Sequence, residues 1–416
     1  MPAVVLCCSV TGIGTVRALA ECGIDVHAFV FRRADPLLHS RYAVKIPCYH
    51  LHDDPAGLVQ LLIAYGKKIG GRPVLLPTGD AHALLLAKHA AELRPYYRLW
   101  ELPYENLGRI VNKTTLYQAA RIAGTPIIPS LSTPTVAEVA QWSLQHAGPY
   151  LLKPSYDGIG TCKLKTKNLL LETREQLVNH VRVHGAEALV IQRMIRGGDG
   201  NIFDCYGLCD RDGRVISISS HQRHRQFPPD FGTTSMGEIP AAIPSREEQL
   251  LFGATEQLLN IVKYHGIFGI EWLREETTGT FYLIDFNARP FLTIGHLLDC
   301  GVNLPLLAYR ELTGESLADV KPRPPVQRKR WVYISNDIDT FRELRAQGRL
   351  GFLPWLLSLA TCRSFAYVSW SDPLPGMRSV LNVCKRALRF VLRVGKPAEV
   401  TAPTTQTSEA ARGLPR

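Results

Sequence analysis

The apolar positions of this chain fall into short strand-like runs separated by helical stretches, and their order carries the first information. Ala3–Cys8 is a continuous apolar run, Ser9–Thr15 follows as a small polar loop, a helical stretch reaches Cys22, and Asp25–Phe31 reads as a second strand. This is a β-loop-α-β opening of an α/β unit. A further strand, Pro73–Leu76, ends in Pro77-Thr78-Gly79-Asp80 ahead of another helix. The pattern next predicts helices over Lys113–Ala123 and Thr135–His146 and strands over Tyr150–Lys153, Cys162–Thr166 and Ala188–Arg193. Phe203–Cys209 and Val215–Ser219 form a predicted hairpin across Asp210–Gly213. A second hairpin joins Ile267–Leu273 to Phe281–Phe286 through a polar turn about Thr278. No internal repeat is present.

The second hairpin holds the densest candidate chemistry. Folded about Thr278, it sets Glu271 roughly opposite Asp285, while Asp285, Asn287 and Arg289 alternate and share one face. Two carboxylates and a carboxamide are oxygen ligands suited to Mg²⁺, which takes its remaining ligands from phosphate and water. The competing reading is a solvated hairpin face. Upstream, Lys153 ends a strand before the glycine-bearing loop 154–161, which can fold over phosphates. It is not a Walker loop, since the order is strand–loop–strand and no GKT or GKS occurs. Lys113 is a second candidate cation. Thr78 and Asp80, at the carboxyl end of a strand, are candidate substrate contacts, with a plain helix cap as the alternative for Asp80. Gly12-x-Gly14 lacks the third glycine and the acidic partner of a dinucleotide site.

Composition narrows the class. The 416 residues are 46% hydrophobic and 20% charged, a globular balance long enough for two or three packed units. The ten cysteines contain no CxxC pair, and Cys205 and Cys209 read as buried thiols in a reducing cytosol. Met1–Val10 lacks a basic leader region and a cleavage site, so no signal peptide is expected. No run approaches the ~20 apolar residues of a spanning helix. From Lys321 onward 17 Lys and Arg face 6 Asp and Glu, whereas the first 320 residues hold 31 of each. The net charge of +11 therefore belongs to the C-terminal quarter, and no nucleic-acid partner is expected. Lys321–Arg330 reads as a linker or exposed edge, and Pro397–Arg416 as disordered.

The ordered motifs resemble the ATP-grasp superfamily over about residues 1–320. They are Asn112-Lys113 heading a helix before Gly124-x-Pro126, Leu151-Leu-Lys153-Pro154 before the loop, Val190-Ile-Gln192 before Ile195-x-Gly197 and Asp199, and Glu271 with Asp285-Phe-Asn287-Ala-Arg289. Within it, Pro77–Asp80 ahead of a helix, Val111–Gln118, and His221–Pro228 with Gly232–Ser235 look most like carboxylate–amine ligases of the D-aspartate ligase type. The resemblance implies an α/β fold of the α+β grasp kind. A parallel-sheet pre-ATP-grasp domain (1–108) would precede a two-subdomain ATP-grasp domain (109–320), split into a lid subdomain (112–187) and a metal-binding subdomain (188–320). A basic region (321–396) and a tail (397–416) would follow. It implies that Lys113 and Lys153 contact ATP phosphates and that Ser155, Gly158 and Gly160 belong to a phosphate lid. Gln192 and Ile195 would line the adenine and Asp199 would hold the ribose. Glu271, Asp285 and Asn287 would bind two Mg²⁺, or Mn²⁺ in their place, and Arg289 would steady the transferred phosphoryl. Arg223 and Arg225 alternate, so in an extended stretch they share a side and would neutralise phosphate or substrate carboxylate. Asp285 departs from the glutamate usual at its position. His221 and His224 lack a third soft ligand for zinc.

The implied reaction is attack of a carboxylate on the γ-phosphate of ATP, followed by displacement of phosphate by an amine. Rivals are a carbamoyl- or carboxy-phosphate-forming enzyme on the same fold and a non-catalytic nucleotide-binding scaffold at a membrane. On a helical wheel, Arg378–Lys396 gathers Arg378, Lys385, Arg386, Arg389, Arg393 and Lys396 on one arc opposite an apolar side. Two readings stand: peripheral contact with the inner face of an anionic membrane, or a helix packed on the grasp domain with its basic face in water. The first would bring a lipid-linked envelope or glycan precursor to a cytoplasmic site. Neither substrate nor the oligomeric state follows from the sequence.

Overall fold

Three sheets form in chain order, and each is closed before the next begins. The computed structural model describes residues 1–155, 168–195 and 197–394, with side chains to Lys385. The first sheet contains β1 (Ala3–Cys7), β2 (Val26–Val30), β3 (Val44–Pro47) and β4 (Val74–Pro77), all parallel in the order β3-β2-β1-β4. Every residue of β1 is buried, as an inner parallel strand covered on both faces requires. The helix Ser9–Ala20 leaves β1 and packs close to its neighbours. A Cβ on Gly12 would lie 2.8 Å from the Cys7 Cβ, and one on Gly14 would lie 2.8 Å from Ile294 in the helix Ile294–Asp299. The Gly12-x-Gly14 pair is thus explained by helix packing.

The second sheet is small and antiparallel. It holds β5 (Ser130–Ser132), β6 (Tyr150–Pro154), β7 (Leu169–Leu171) and β8 (Leu189–Arg193), ordered β5-β8-β6-β7. Helices Val136–Gln145 and Arg174–His184 start with reciprocal capping boxes, Thr135 with Glu138 and Thr173 with Gln176. They bury Val139, Leu177 and Val181 with Leu152 and Ile191 of the sheet. The strand expected over Cys162–Thr166 lies outside the described residues.

The third sheet contains β9 (Ile202–Cys209), β10 (Val215–Phe227), β11 (Thr233–Ile239), β12 (Gly266–Arg274), β13 (Phe281–Asn287), β14 (Lys329–Val332) and β15 (Cys362–Phe365). Its order is β13-β12-β9-β10-β11-β14-β15. Both expected hairpins form, and the register sets Glu271 opposite Asp285. Expectation and structure part only at the end of 321–330: 321–328 is irregular and mostly exposed, whereas Lys329 and Arg330 lie in β14, which is flanked by β11 and β15. Trp331, fully buried on that strand, explains its inclusion.

The helices Ile334–Ala346 and Phe352–Ala360 connect β14 to β15, and the helix Pro373–Val394 follows. The last begins against the short 3₁₀ turn Pro36–His39, with Pro375 and Gly376 buried, and is largely exposed from Met377 to Lys385. Among the described residues no helix is long and apolar enough to cross a membrane.

Candidate active site

A cavity of about 580 Å³ opens where the three sheets meet, within the ~300–1,000 Å³ usual for small-molecule sites. The first sheet contributes the carboxyl ends of β1 and β4 with Cys8, Thr78 and Asp80. The second contributes Leu151, Lys153 and Gln192, and the third contributes Asp204, Arg223, Glu271, Asp285 and Asn287. The carboxyl ends of the open parallel sheet thus face the small antiparallel sheet and the large mixed one.

The hairpin β12–β13 supplies the oxygen donors. Asn287 Nδ2 donates to Glu271 Oε1 at 3.1 Å and to the Gly269 carbonyl at 3.2 Å, which leaves its amide oxygen unengaged by this pair. Lys113 Nζ lies 3.2 Å from Asp285 Oδ2, and Arg223 Nη2 lies 2.8 Å from Glu271 Oε2. Each carboxylate therefore already faces a cation from another element. Lys113 reaches the hairpin because Asn112 caps its helix through Thr114 N at 2.9 Å, and the Lys113 N–H donates to the Ser155 carbonyl at 2.7 Å. That bond ties the first turn of this helix to the end of β6 and holds Ser155 and Lys113 in one unit. Gly158 and Gly160 lie outside the described residues.

Behind the hairpin is a buried ionic row that the sequence reading missed. Asp204 on β9 pairs in register with Glu271 on one side and His221 on the other. Arg223 Nη2 donates to Asp204 Oδ1 at 2.6 Å and His221 Nδ1 lies 2.7 Å from Asp204 Oδ2. Burial alone would raise the Asp204 pKa, but Arg223 and His221 hold it well below the usual carboxylate range. Burial likewise opposes the Arg223 charge, and Asp204 with Glu271 keeps its pKa above the ordinary arginine value. Arg223 is thus a fixed cation bridging two carboxylates of the cavity wall, the fully buried Asp204 and the more exposed Glu271. The available signal was a lone acid in the apolar run Ile202–Cys209.

Arg225 does not share this side. An extra β10 residue between Arg223 and Arg225 breaks the two-residue alternation. Gln226 turns into the cavity instead, and Arg225 turns away to Asp337, with Nε–Oδ1 at 2.7 Å and Nη2–Oδ2 at 3.0 Å. The expected pairing of Arg223 and Arg225 at the substrate is corrected accordingly. His221 and His224 also separate, to Asp204 and Glu238 respectively.

Arg289 sits just past β13 and forms a two-pronged pair with Asp80, at 3.0 and 2.8 Å. Burial works against its charge, and Asp80 more than offsets this, holding the pKa above the usual value. Asp80 is the first residue of the helix Asp80–Lys88, whose cap position is Gly79, so its partner is a side chain rather than the helix end. Thr78 Oγ1 donates to the Leu6 carbonyl at 2.7 Å and accepts from Cys8 N–H at 2.8 Å, locking β4 to the β1 loop.

Another part of the wall is apolar, where Ile195 packs with Ile128, Ile202 and Leu273. Beside it Gln192 is buried. Its Nε2 donates to Tyr117 Oη at 3.2 Å, and its Oε1 has no partner among the described residues. Asp199 lines the cavity but its oxygens accept from Gln226 N, Gln226 Nε2 and Asp230 N at 2.8–3.1 Å. Burial raises its pKa and these bonds lower it, with a net rise.

A parallel-sheet unit followed by a small antiparallel sheet and a large mixed one, with the cavity between them, is the ATP-grasp fold. Solved structures match it over most of their length. N5-carboxyaminoimidazole synthetase from Staphylococcus aureus matches with a TM-score of 0.63 at 13% identity, over 83% of this chain and 86% of that one. Biotin carboxylase from Campylobacter jejuni, in a β-γ-ATP complex, matches at 0.62 and 13%, over 79% and 74%. L-amino acid ligase from Bacillus licheniformis matches at 0.57 and 16%, over 77% of each. In sequence the chain is similar to a D-aspartate ligase of Enterococcus faecium (strain Aus0004), 22% identical over 232 residues. That match covers 52% of this chain and 53% of the relative, so the chain spans about half the length of the ligase it resembles. No family model matches.

Proposed function

We propose that this chain is an ATP- and Mg²⁺-dependent ligase that activates a carboxylate as an acyl phosphate and joins it to an amine. The observation that carries the reading is the facing pair Glu271 and Asp285, with Asn287, at a cavity that also holds Lys113, Lys153, Arg223 and Arg289. Two carboxylates and a carboxamide are hard oxygen donors, which fits Mg²⁺ and does not fit a soft-ligand metal. Bound there, Mg²⁺ would neutralise the phosphate oxygens and polarise the γ-phosphorus. Entry of a triphosphate would let Lys113 and Arg223 exchange their carboxylate partners for phosphate. Lys153 would hold the phosphates from the opposite sheet. The flat apolar wall at Ile195 would face the adenine, and the unpartnered Gln192 Oε1 could accept from its exocyclic amine. Asp199 would reach the ribose through oxygens it already shares with Gln226. Residues 1–108 would form the domain ahead of the grasp, 112–187 its lid and 188–320 its metal-binding part. Ser155, Gly158 and Gly160 would belong to the lid loop.

The substrate carboxylate oxygen would attack the γ-phosphorus, the bond to the β-phosphate oxygen would break, and ADP would leave. Arg289 would face the new acyl phosphate, with Asp80 keeping the guanidinium oriented. The amine lone pair would then attack the acyl carbon, the C–O bond to phosphate would break, and the amine would release a proton. This chemistry asks for positioning and charge neutralisation rather than a protein nucleophile. The relative named a D-aspartate ligase supports an amino acid as one substrate. The biotin carboxylase among the structural matches supports a second reading, in which bicarbonate is the carboxylate. We place the protein in the cytoplasm, where its nine described free cysteines stay reduced.

The test is ADP release from ATP and Mg²⁺ against a panel of carboxylates, each with and without amines, beside a bicarbonate arm. The ligase reading expects ADP only with a particular carboxylate and product only with an amine. ADP release driven by bicarbonate alone would support the second reading. No release under any combination would leave only the scaffold.

A further inference from the structure

The helix Phe352–Ala360 reads Phe-Leu-Pro-Trp-Leu-Leu-Ser-Leu-Ala, carries no charge, and buries none of its nine residues. Leu353 and Leu357 are 63% and 59% exposed, and Phe352 and Leu356 are exposed beside them. Leu353, Leu356 and Leu357 stand at i, i+3 and i+4 and so share one face. The opposite side is anchored. Trp355 stacks on Phe341 with ring centroids 4.4 Å apart and donates from Nε1 to Asp337 at 2.8 Å. The helix is thus held rigidly to the molecule with its apolar face outward, an arrangement that stability alone disfavours.

Arginines stand on both sides of this helix along the chain, Arg345 ahead of it and Arg363 after it. The Arg345 guanidinium lies 5.8 Å from the Phe341 ring centroid, and exposed Arg363 donates to the Ala360 carbonyl at 2.9 Å, at the end of the helix. Of the region's acids, Asp337 is buried against Arg225 and Asp372 against Arg17, which removes them from the surface. Among the described residues of the region Asp339 and Glu343 remain, on the preceding helix, and Asp339 lies 3.5 Å from Arg342. Farther on, Trp370 is 99% exposed, and Leu374, Met377 and Leu381 form an exposed stripe on the helix Pro373–Val394 near Arg378 and Lys385. Two apolar helix faces that no described residue covers and an exposed tryptophan therefore lie within the one quarter of the chain that carries its whole net charge.

We propose that the Phe352–Leu357 face inserts shallowly into an anionic lipid surface, with the basic side chains around it against the headgroups. Charge decides the occupant. A second copy of the chain would bring two strongly basic regions together, and an uncharged partner would leave the arginines without counter-charge. Anionic headgroups satisfy both the apolar face and its rim, at the ~5–10 Å depth typical of interfacial helices. None of these residues lines the cavity, so the proposal stands apart from the ligase reading.

The experiment is flotation of the full chain with phosphatidylcholine vesicles and with vesicles that also contain phosphatidylglycerol. Binding to the second set, weakened by salt and slight on the first, is expected. Leu353→Glu with Leu357→Glu should lower the bound fraction at least about tenfold, with circular dichroism and thermal midpoint unchanged. If that variant misfolds, Leu353→Ser with Leu357→Ser takes its place. Failure of the parent chain to bind, or equal binding by the substituted chain, overturns the proposal. So does a lipid-free dimer that the double substitution converts to monomer, since the face would then join two copies.

Discussion

Asp285 and Glu271 face each other across β12–β13, and each meets a cation supplied from elsewhere in the chain. Neither is deeply buried, so removing the charge should leave the hairpin standing. Asp285→Asn and Glu271→Gln are each expected to slow ADP release by about 10²-fold or more, with unchanged far-ultraviolet circular dichroism. Normal turnover by Asp285→Asn would remove the metal assignment. Lys153→Ala should weaken ATP binding, read by titration calorimetry with a non-hydrolysable nucleotide, without changing stability. At this scale the sequence was informative wherever alternation held. Asp285 and Asn287 follow a two-residue period on an ordinary strand, so their common face could be read directly. Arg225 follows the same period on paper, but one extra residue in β10 reverses it. Asp204 escaped notice because it lies inside an apolar run, and only register places it between Glu271 and His221.

The bulge in β10 sorts side chains between two environments. Arg223 and Gln226 face the cavity, while Arg225 is buried against Asp337, Ser358 and, through Asp337, Trp355. Breaking one side of such a pair leaves a buried charge alone. Asp337→Ala should therefore destabilise the protein by about 3–5 kcal/mol, measured by urea unfolding, with little change in ADP release per folded molecule. Replacing both partners, Arg225→Met with Asp337→Leu, should recover much of that loss. If Arg225→Met instead abolished ADP release at full stability, the placement of Arg225 outside the site would be wrong. The pieces read best from sequence were the hairpins and the β-loop-α-β opening, where the local apolar period and the fold agree. The strand Lys329–Val332 read poorly. Its charged first half resembles a linker, and its burial comes from Trp331 meeting a sheet built by distant residues.

The whole molecule brings a parallel sheet, a small antiparallel sheet and a large one together around one cavity, and its first unit contains an acid-sensitive group. His82 lies under Phe31, with Cys8 Sγ 3.6 Å from Nδ1, and burial lowers its pKa to about 4. The unfolded chain binds this proton near pH 6.5 and the folded one does not. The contribution of His82 is therefore fully present above about pH 6.5 and is lost as the pH falls toward 4, an effect of about 3 kcal/mol. His82→Gln should flatten the stability profile over that window, in urea titrations at pH 7 and pH 4.5. The meeting of three sheets was visible in the sequence as an order of motifs, but the closure of Arg289 on Asp80, 209 positions earlier, was not. Nothing local in either segment encodes that contact. The central claim is that a carboxylate is phosphorylated at this junction, and hydroxylamine tests it most directly. Supplied as the amine with ATP, Mg²⁺ and the carboxylate that elicits ADP release, it should trap the acyl phosphate as a hydroxamate, in amounts that match the ADP. The Asp285→Asn protein should form almost none. ADP release without hydroxamate, or equal hydroxamate from the Asp285→Asn protein, would contradict the account.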